Sequence, residues 1–237
     1  MDCLESVKWA HEIVVVDSFS QDNTVELAQN YTSKIIQRPF PGHIEQKNFA
    51  IEQASHCWIL SIDADERVSP KLKESILKIL SQEEISEKGF EVLRLNDYLG
   101  EWAYYGGFYP DYKIRLFHRD FGKWGGVNPH DHILLQGPLG RLEGPLYHYT
   151  YRDFSHHVEV VHKFTTIAAE EMYKKRKKWP LLKACTHSLG RFLDAYFLKK
   201  GFLYGSRGFL LSVMHGIYGF LKYAKLWDLY RKEKKQR

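Results

Sequence analysis

The residues best suited to chemistry stand at the end of a short apolar run, Cys57-Trp58-Ile59-Leu60-Ser61-Ile62, which stops in Asp63-Ala64-Asp65-Glu66. The run has the length of a strand buried on both faces. A strand ending in Asp-x-Asp puts carboxylates at its carboxyl end, where open α/β sheets bind ligands. Two carboxylates this close repel unless a cation lies between them. Oxygen ligands suit Mg²⁺ or Mn²⁺, which commonly carry substrate phosphates. A plainer alternative is a strand followed by an acidic helix start, with Asp65 and Glu66 near the N-terminus of the helix that Pro70 opens.

Other titratable residues cluster further on. Trp124-Gly125-Gly126-Val127-Asn128-Pro129-His130-Asp131-His132 holds three beside a Gly-Gly and a Pro. A metal-hydrolase reading would use His130, Asp131 and His132 as ligands, although neighbours in an extended chain point to opposite sides and at most two can share one ion. His148 sits in an alternating aromatic strand, Pro145 to Tyr151, either as a core residue or as a ligand. Asp17 ends the run Glu12-Ile13-Val14-Val15-Val16 as Asp63 ends the later one; the alternative for it is a turn-former bonded to nearby amides. The aromatic, Gly-rich segment 98–111 suits either stacking on a sugar ring or packing over a sheet.

The elements that must position these groups alternate. Strands are expected at 12–17, 34–37 and 57–62, with helices at about 23–30, 44–54 and 70–81, the pattern of a parallel sheet covered by helices. Right-handed crossovers would then bring Asp17 and Asp63-Ala64-Asp65 to one sheet edge. Further strands are expected at 90–95 and 112–117. From Phe154 the chain reads as helices, broken at 174–180 and 201–208. The division expected is a catalytic α/β domain over 1–150 and a helical, basic region over 151–237.

The 237 residues are 44% hydrophobic, enough for a packed core. Three scattered cysteines, Cys3, Cys57 and Cys185, form no metal or redox pattern, and the start carries no signal-peptide pattern, which points to a reducing, cytoplasmic setting. Charge is uneven: residues 1–150 hold 15 Lys and Arg against 22 Asp and Glu, residues 151–237 hold 19 against 7. A basic second half suggests an anionic partner, nucleic acid or a membrane surface. The uncharged run between Arg207 and Lys222 is too short to span a bilayer, but with Tyr218, Tyr223, Trp227 and Tyr230 it could lie on one.

Taken together, the stretches Cys3–Ala10, Glu12–Ser18, Gln46–Ala50, Asp63–Arg67, Tyr109–Phe117 and His148–Asp153 resemble the family 2 inverting glycosyltransferases, closest to the bacterial lipopolysaccharide-core β-1,4-glucosyltransferases. The resemblance implies the α/β GT-A fold, a Rossmann-like mixed sheet, with a helical C-terminal region. It implies that Asp17 and Ser18 meet the nucleoside of the sugar donor and that Lys47 lies near the nucleotide. Asp63 and Asp65 would hold a Mg²⁺ or Mn²⁺ ion on the donor diphosphate, with His148 completing the metal site. Asp63 would also touch substrate, as would Asp111. Asp131 falls where the family has its catalytic base, usually Glu. Such a base takes the acceptor proton while a cation stabilises the departing diphosphate, through a transition state resembling an oxocarbenium ion.

The expected activity is transfer of a hexose, glucose from UDP-glucose, to a lipid-linked core saccharide. It is expected at the inner face of the cytoplasmic membrane, peripherally on an anionic surface and without nucleic acid. The competing reading is an inactive relative that docks on membrane or nucleic acid. The family's first strand is missing from the sequence: it would lie between the strands at 12–17 and 57–62, and its absence is expected to leave two unpaired strand edges, a gap that a longer chain would fill.

Overall fold

The computed structural model describes residues 2–127, 130–177 and 180–236. It divides into two compact units, one of residues 2–95 and 111–148, the other of 96–110 and 149–236.

The first unit opens with helix α1 (Asp2–Val7) and alternates strand β1 (Val15–Asp17), helix α2 (Thr24–Gln29), strand β2 (Ile35–Gln37), helix α3 (His43–Gln53) and strand β3 (Trp58–Leu60). Strand β4 (Glu66–Val68) follows, then helix α4 (Pro70–Leu80). Ser69 caps α4, its Oγ accepting from Leu72 N at 3.1 Å, with Pro70 at the first helical position. The acidic pair therefore does not start a helix: Glu66 begins a strand, and the plainer reading of the motif is corrected. Leu72 and Ile76, one turn apart, bury the inner face of α4.

The chain then returns through β5 (Gly89–Tyr98), β6 (Glu101–Trp102), β7 (Tyr112–His118), β8 (Gly122–Val127), β9 (His130–Leu135) and β10 (Leu139–Tyr149). The main sheet has the order β3-β7-β5-β10-β4, with β6 paired to β5. The alternation in sequence predicts one parallel sheet, but β3 pairs antiparallel with β7, and the parallel pair β1–β2 stands apart. Strands much later in the chain supply the partners that sequential crossovers would have supplied: Trp58 pairs with His118 and Glu66 with His148. Strands β8 and β9 form a hairpin of their own. Val92, Leu116, Leu142 and Leu146 join Leu72 and Ile76 in one core; Ile51, Phe117, Trp124 and Ile133 form a second under α3 and the hairpin.

Strands β1 and β3 each pair on one edge. Val15 N donates to Lys34 O and Arg38 N to Asp17 O, so Val16 between them turns its N–H and C=O to the other edge. The register of β3 on β7 does the same for Trp58 and Leu60. Among the described residues no strand pairs that second edge. A cavity of about 600 Å³ lies there, lined by Val14, Val15, Val16, Trp58, Ile59 and Leu60 among others. These residues are half-buried rather than buried on both faces.

The second unit is helical: α5 (Phe154–Lys174), α6 (Pro180–Leu193), a π-helical turn (Asp194–Leu198), a 3₁₀ turn (Gly201–Tyr204) and α7 (Gly205–Gln236). Asp153 caps α5, accepting from His156 N at 2.8 Å. The aromatic segment 96–110 belongs to this unit, where Tyr98 and Ala103 pack with Leu211. Of the C-terminal aromatics expected at a surface, Tyr223 is buried and Tyr230 bonds to the Lys177 carbonyl, so both serve packing. Among the described residues no helix is long and apolar enough to cross a membrane.

Candidate active site

The loop between β3 and β4 is a closed turn. Glu66 N donates to Asp63 O at 2.9 Å, and Asp63 N donates back to Glu66 Oε2 at 2.9 Å. Glu66 is fully buried, an arrangement a carboxylate tolerates only when paired. Its partner is Arg115 of β7, itself 3% exposed, whose Nη2 lies 2.5 Å from Glu66 Oε1 and 3.0 Å from Asp63 Oδ2.

Lys47 of α3 reaches the other side of Asp63. Its Nζ lies 3.1 Å from Asp63 Oδ1 and 2.9 Å from Asp131 Oδ2, and 4.0 Å above the Trp124 ring. Asn48, the next residue, clamps the hairpin through both backbone groups of one residue: Trp124 N donates to Asn48 Oδ1 at 2.9 Å, and Asn48 Nδ2 donates to Trp124 O at 3.0 Å. This fixes α3 to β8, and with it Lys47 between the two carboxylates. At the far end, Arg94 holds Asp111 Oδ2 through Nε at 2.8 Å and Nη2 at 2.7 Å, and its Nη1 lies 3.7 Å from Glu66. The result is one line of alternating charge: Asp111, Arg94, Glu66, Arg115, Asp63, Lys47, Asp131.

Burial would raise the Asp63 carboxyl, but Arg115 and Lys47 outweigh it and hold it at about 2. Asp111 is likewise held below the usual carboxylate range, burial being outweighed by Arg94 and Lys113. Cys3, whose thiol points at the Asp63 carbonyl, is pushed up to about 11 by burial and by the carboxylates Glu66 and Asp65, and is no nucleophile.

Asp65 stands apart from this line. It is half exposed, and its Oδ2 lies 3.3 Å from Nε2 of His148. The β4–β10 register, with His148 opposite Glu66, delivers the imidazole to the motif. Asp65 and His148 would offer a divalent ion one carboxylate oxygen and one imidazole nitrogen. Asp63 already meets two cations. Among the described residues no three His, Cys, Asp or Glu side chains converge as a ready metal cage.

Asp17 lies elsewhere, 6% exposed and engaged with its own turn. It accepts from Ser20 N at 3.1 Å and Gln37 Nε2 at 2.9 Å; burial would raise it, but these bonds prevail and hold it below its usual range. Ser18 bonds to Gln46 Nε2 at 3.0 Å, so α3 ties this loop to Lys47 one residue on. Gln46 Oε1 is buried with no partner among the described residues.

In the His130-Asp131-His132 stretch, Asp131 faces Lys47 while His132 is exposed, as strand alternation requires. The side chain of His130 lies outside the described part. Residues that the sequence reading passed over are Glu66, Arg115, Arg94, Asn48 and Trp124. A charged residue within a β-branched or aromatic strand, as in Tyr112-Lys113-Ile114-Arg115-Leu116-Phe117, was the available signal for Arg115.

A family model described as glycosyl transferase family 2 matches residues 2–134. The chain is 30% identical over 229 residues to an uncharacterized glycosyltransferase, RT0209, of Rickettsia typhi, covering 92% of this chain and 78% of that protein. It is 29% identical over 239 residues to the lipopolysaccharide core biosynthesis glycosyltransferase LpsC of Rhizobium meliloti, covering 95% of this chain and 86% of the other. A crystal structure of residues 1–349 of S. aureus TarS aligns with 98% of this chain and 87% of its own at 14% identity, with a TM-score of 0.38.

Proposed function

Because the chain belongs to glycosyl transferase family 2 and has the α/β GT-A type of fold, we propose that it moves a hexose with inversion from a nucleotide sugar to a lipid-linked saccharide. The donor in this reading is UDP-glucose, the acceptor a lipopolysaccharide-core or related glycan, and the place of work the inner face of the cytoplasmic membrane. The name of the Rhizobium relative supports the acceptor class.

The observation that carries the proposal is the Lys47 ammonium seated between Asp63 and Asp131. A diphosphate entering the site offers Lys47 further ionised acceptor oxygens, in charge-assisted bonds like those it makes to the two carboxylates. Lys47 turning to the diphosphate frees Asp131, 11% exposed at its side chain, to take the proton of the acceptor hydroxyl as the anomeric carbon is attacked. Asp63, kept ionised by Arg115, stays as a fixed negative wall beside the sugar. Asp65 and His148 would hold a Mg²⁺ or Mn²⁺ ion, which when bound neutralises the charge of the departing diphosphate. Asp17 and Ser18, the latter tied to α3 through Gln46, are assigned to the nucleoside end, and Asp111 to the sugar or acceptor side.

The test is a thermal-shift screen of UDP-, GDP- and ADP-sugars with Mn²⁺. Specific binding at a hundredfold excess over Kd adds about 2.7 kcal/mol of apparent stability. A Mn²⁺-dependent shift with UDP-sugars supports the reading. No shift with any nucleotide sugar, alongside binding to lipid or RNA, would favour the inactive docking module.

A further inference from the structure

The helical unit carries large apolar side chains that stay exposed among the described residues. They concentrate at the turn between α6 and α7, where Leu198 is 79% exposed, Phe197 55%, Leu203 54% and Phe202 47%. The backbone beneath them is pinned. Lys199 N donates to Asp194 O at 2.8 Å and Leu203 N to Lys200 O at 3.0 Å. Gly201 is buried so tightly against α7 that a Cβ on Gly208 would fall 1.8 Å from its carbonyl oxygen. Ala195 is buried, and Tyr204 OH donates to Glu101 O at 2.7 Å. A fixed frame thus presents four apolar side chains outward around Lys199 and Lys200, both exposed.

The patch continues along the helices. On α6, Leu182, Leu189 and Leu193 are 66%, 61% and 42% exposed and recur at helical spacing. They lie off the side on which Ala184 is buried and on which His187 and Arg191 meet α7. On α7, Gly216 and Gly219 face α6. At about 100° per residue, Phe209 and Phe220 lie just to one side of that line, and both are nearly half exposed.

The charge around the patch is mostly positive. Residues 181–209 contain Lys183, Arg191, Lys199, Lys200 and Arg207 against Asp194; Lys199 pairs with Asp194 at 2.8 Å and Arg207 with Glu101 at 2.7 Å, and Lys183, Arg191 and Lys200 carry the remaining excess. A second copy on this face would set two cationic patches against each other. A nucleic acid would satisfy the cations and leave the leucines in water. An anionic bilayer answers both demands: apolar side chains enter the acyl boundary while lysines stay among the headgroups.

We propose that the turn at 194–204, continued by the outer faces of α6 and α7, inserts into the interface of a membrane rich in anionic lipid. The proposal deepens the functional reading, on which it rests for the acceptor's location, by naming the surface that brings the enzyme there.

The experiment is cosedimentation of the full chain with phosphatidylcholine vesicles, with and without phosphatidylglycerol. Binding is expected only with phosphatidylglycerol and should weaken as salt rises. Phe197→Ser with Leu198→Ser should weaken it at least on the order of tenfold while keeping its salt dependence. Lys199→Gln with Lys200→Gln should weaken it by on the order of tenfold and flatten the salt dependence. Both double variants should keep the wild-type melting curve and the UDP-sugar shift, since these side chains are exposed and outside the site. Wild-type chain that ignores phosphatidylglycerol vesicles overturns the proposal, as does a serine variant that binds them equally well. A lipid-free dimer in sedimentation velocity that the serine variant abolishes would instead assign the patch to a second copy. Vesicle binding without any nucleotide-sugar shift would leave this surface standing and remove the functional reading.

Discussion

Two neighbouring carboxylates of the motif should behave in opposite ways, and Glu66→Gln against Asp65→Asn exposes the difference. Glu66 is fully buried and accepts from Arg115 and from the Asp63 amide. Its amide replacement keeps the shape but loses the charge facing Arg115, and its NH₂ must point at a donor. Removing one partner of a buried ion pair costs about 3–5 kcal/mol. Arg115 keeps Asp63 at 3.0 Å, which puts the expected loss at the lower end, about 3 kcal/mol. For a chain of this size that lowers Tm by about 6–12 °C. Asp65 is 50% exposed at its side chain and meets His148 at 3.3 Å. Asp65→Asn should move stability by no more than about 0.5 kcal/mol and remove the Mn²⁺-dependent part of UDP-sugar binding. Differential scanning calorimetry with titration calorimetry, with and without Mn²⁺, reads both. A Glu66→Gln protein with wild-type Tm, or an Asp65→Asn protein that binds donor and metal unchanged, would refute the reasoning.

Lys47→Met should raise the Kd for UDP-sugar by on the order of 10- to 100-fold, because the ammonium that meets the diphosphate is gone; unchanged affinity in titration calorimetry would remove Lys47 from the donor site. Acid should loosen the two units in different windows. His157 and His215 are lowered to about 4, chiefly by burial, so the unfolded chain takes up their protons first and stability is lost as pH falls from about 6.5 towards 4, by up to about 3 kcal/mol for the buried His157. Glu12 and Asp63 are lowered to about 2: burial would raise both, and is outweighed by Lys34 and Ser55 at Glu12 and by Arg115 and Lys47 at Asp63. Their contribution is complete above about pH 4.5 and disappears as pH falls towards 2. Peptide-resolved hydrogen exchange across pH should show the helices losing protection before the sheet, and the reverse order would contradict these assignments. At neutral pH the amides of Val16, Trp58 and Leu60, which face the unpaired edges, should exchange at least about 10²-fold faster than that of buried Val92; equal protection would mean those edges are covered.

What could be read in the sequence was local. Asp63-Ala64-Asp65 ends an apolar run, and the residues expected to hold donor or act as base lie in short stretches whose order is a family's. Lys47, Asp63 and Asp131 do come together, and Asp65 and His148 form a second pair beside them. What stayed hidden depends on distant partners. Glu66 and Arg115 are 49 positions apart, and although an arginine inside an aromatic strand is itself a signal, nothing near it points to Glu66 as its partner. Strand β4 is three residues, Glu-Arg-Val, too short and too charged for a period of two to show. The hairpin of β8 and β9 is disguised by glycines, among them Gly122 and Gly125, where a Cβ would meet Phe117 or Leu134 at about 2.5 Å. The segment 98–111 suits either stacking on a sugar ring or packing over a sheet, and the packing of Tyr98 and Ala103 on Leu211 is what joins residues 98–110 to the helices. Asp17 bonds to Ser20 of its own turn and to Gln37 of β2, and the second of these, 20 positions away, was not legible from the residues around it.

The central claim is a metal-dependent glycosyl transfer with Asp131 as base, and one measurement tests it most directly. Release of UDP from UDP-glucose, with extracted lipid-linked saccharide as acceptor, is followed for the wild type and for Asp131→Asn, each with Mn²⁺ and with chelator. The account predicts turnover by the wild type that chelator abolishes. In Asp131→Asn it predicts a rate lower by about 10²–10⁴-fold with the UDP-glucose thermal shift preserved. Turnover that survives the Asn substitution, or that proceeds equally in chelator, would contradict it.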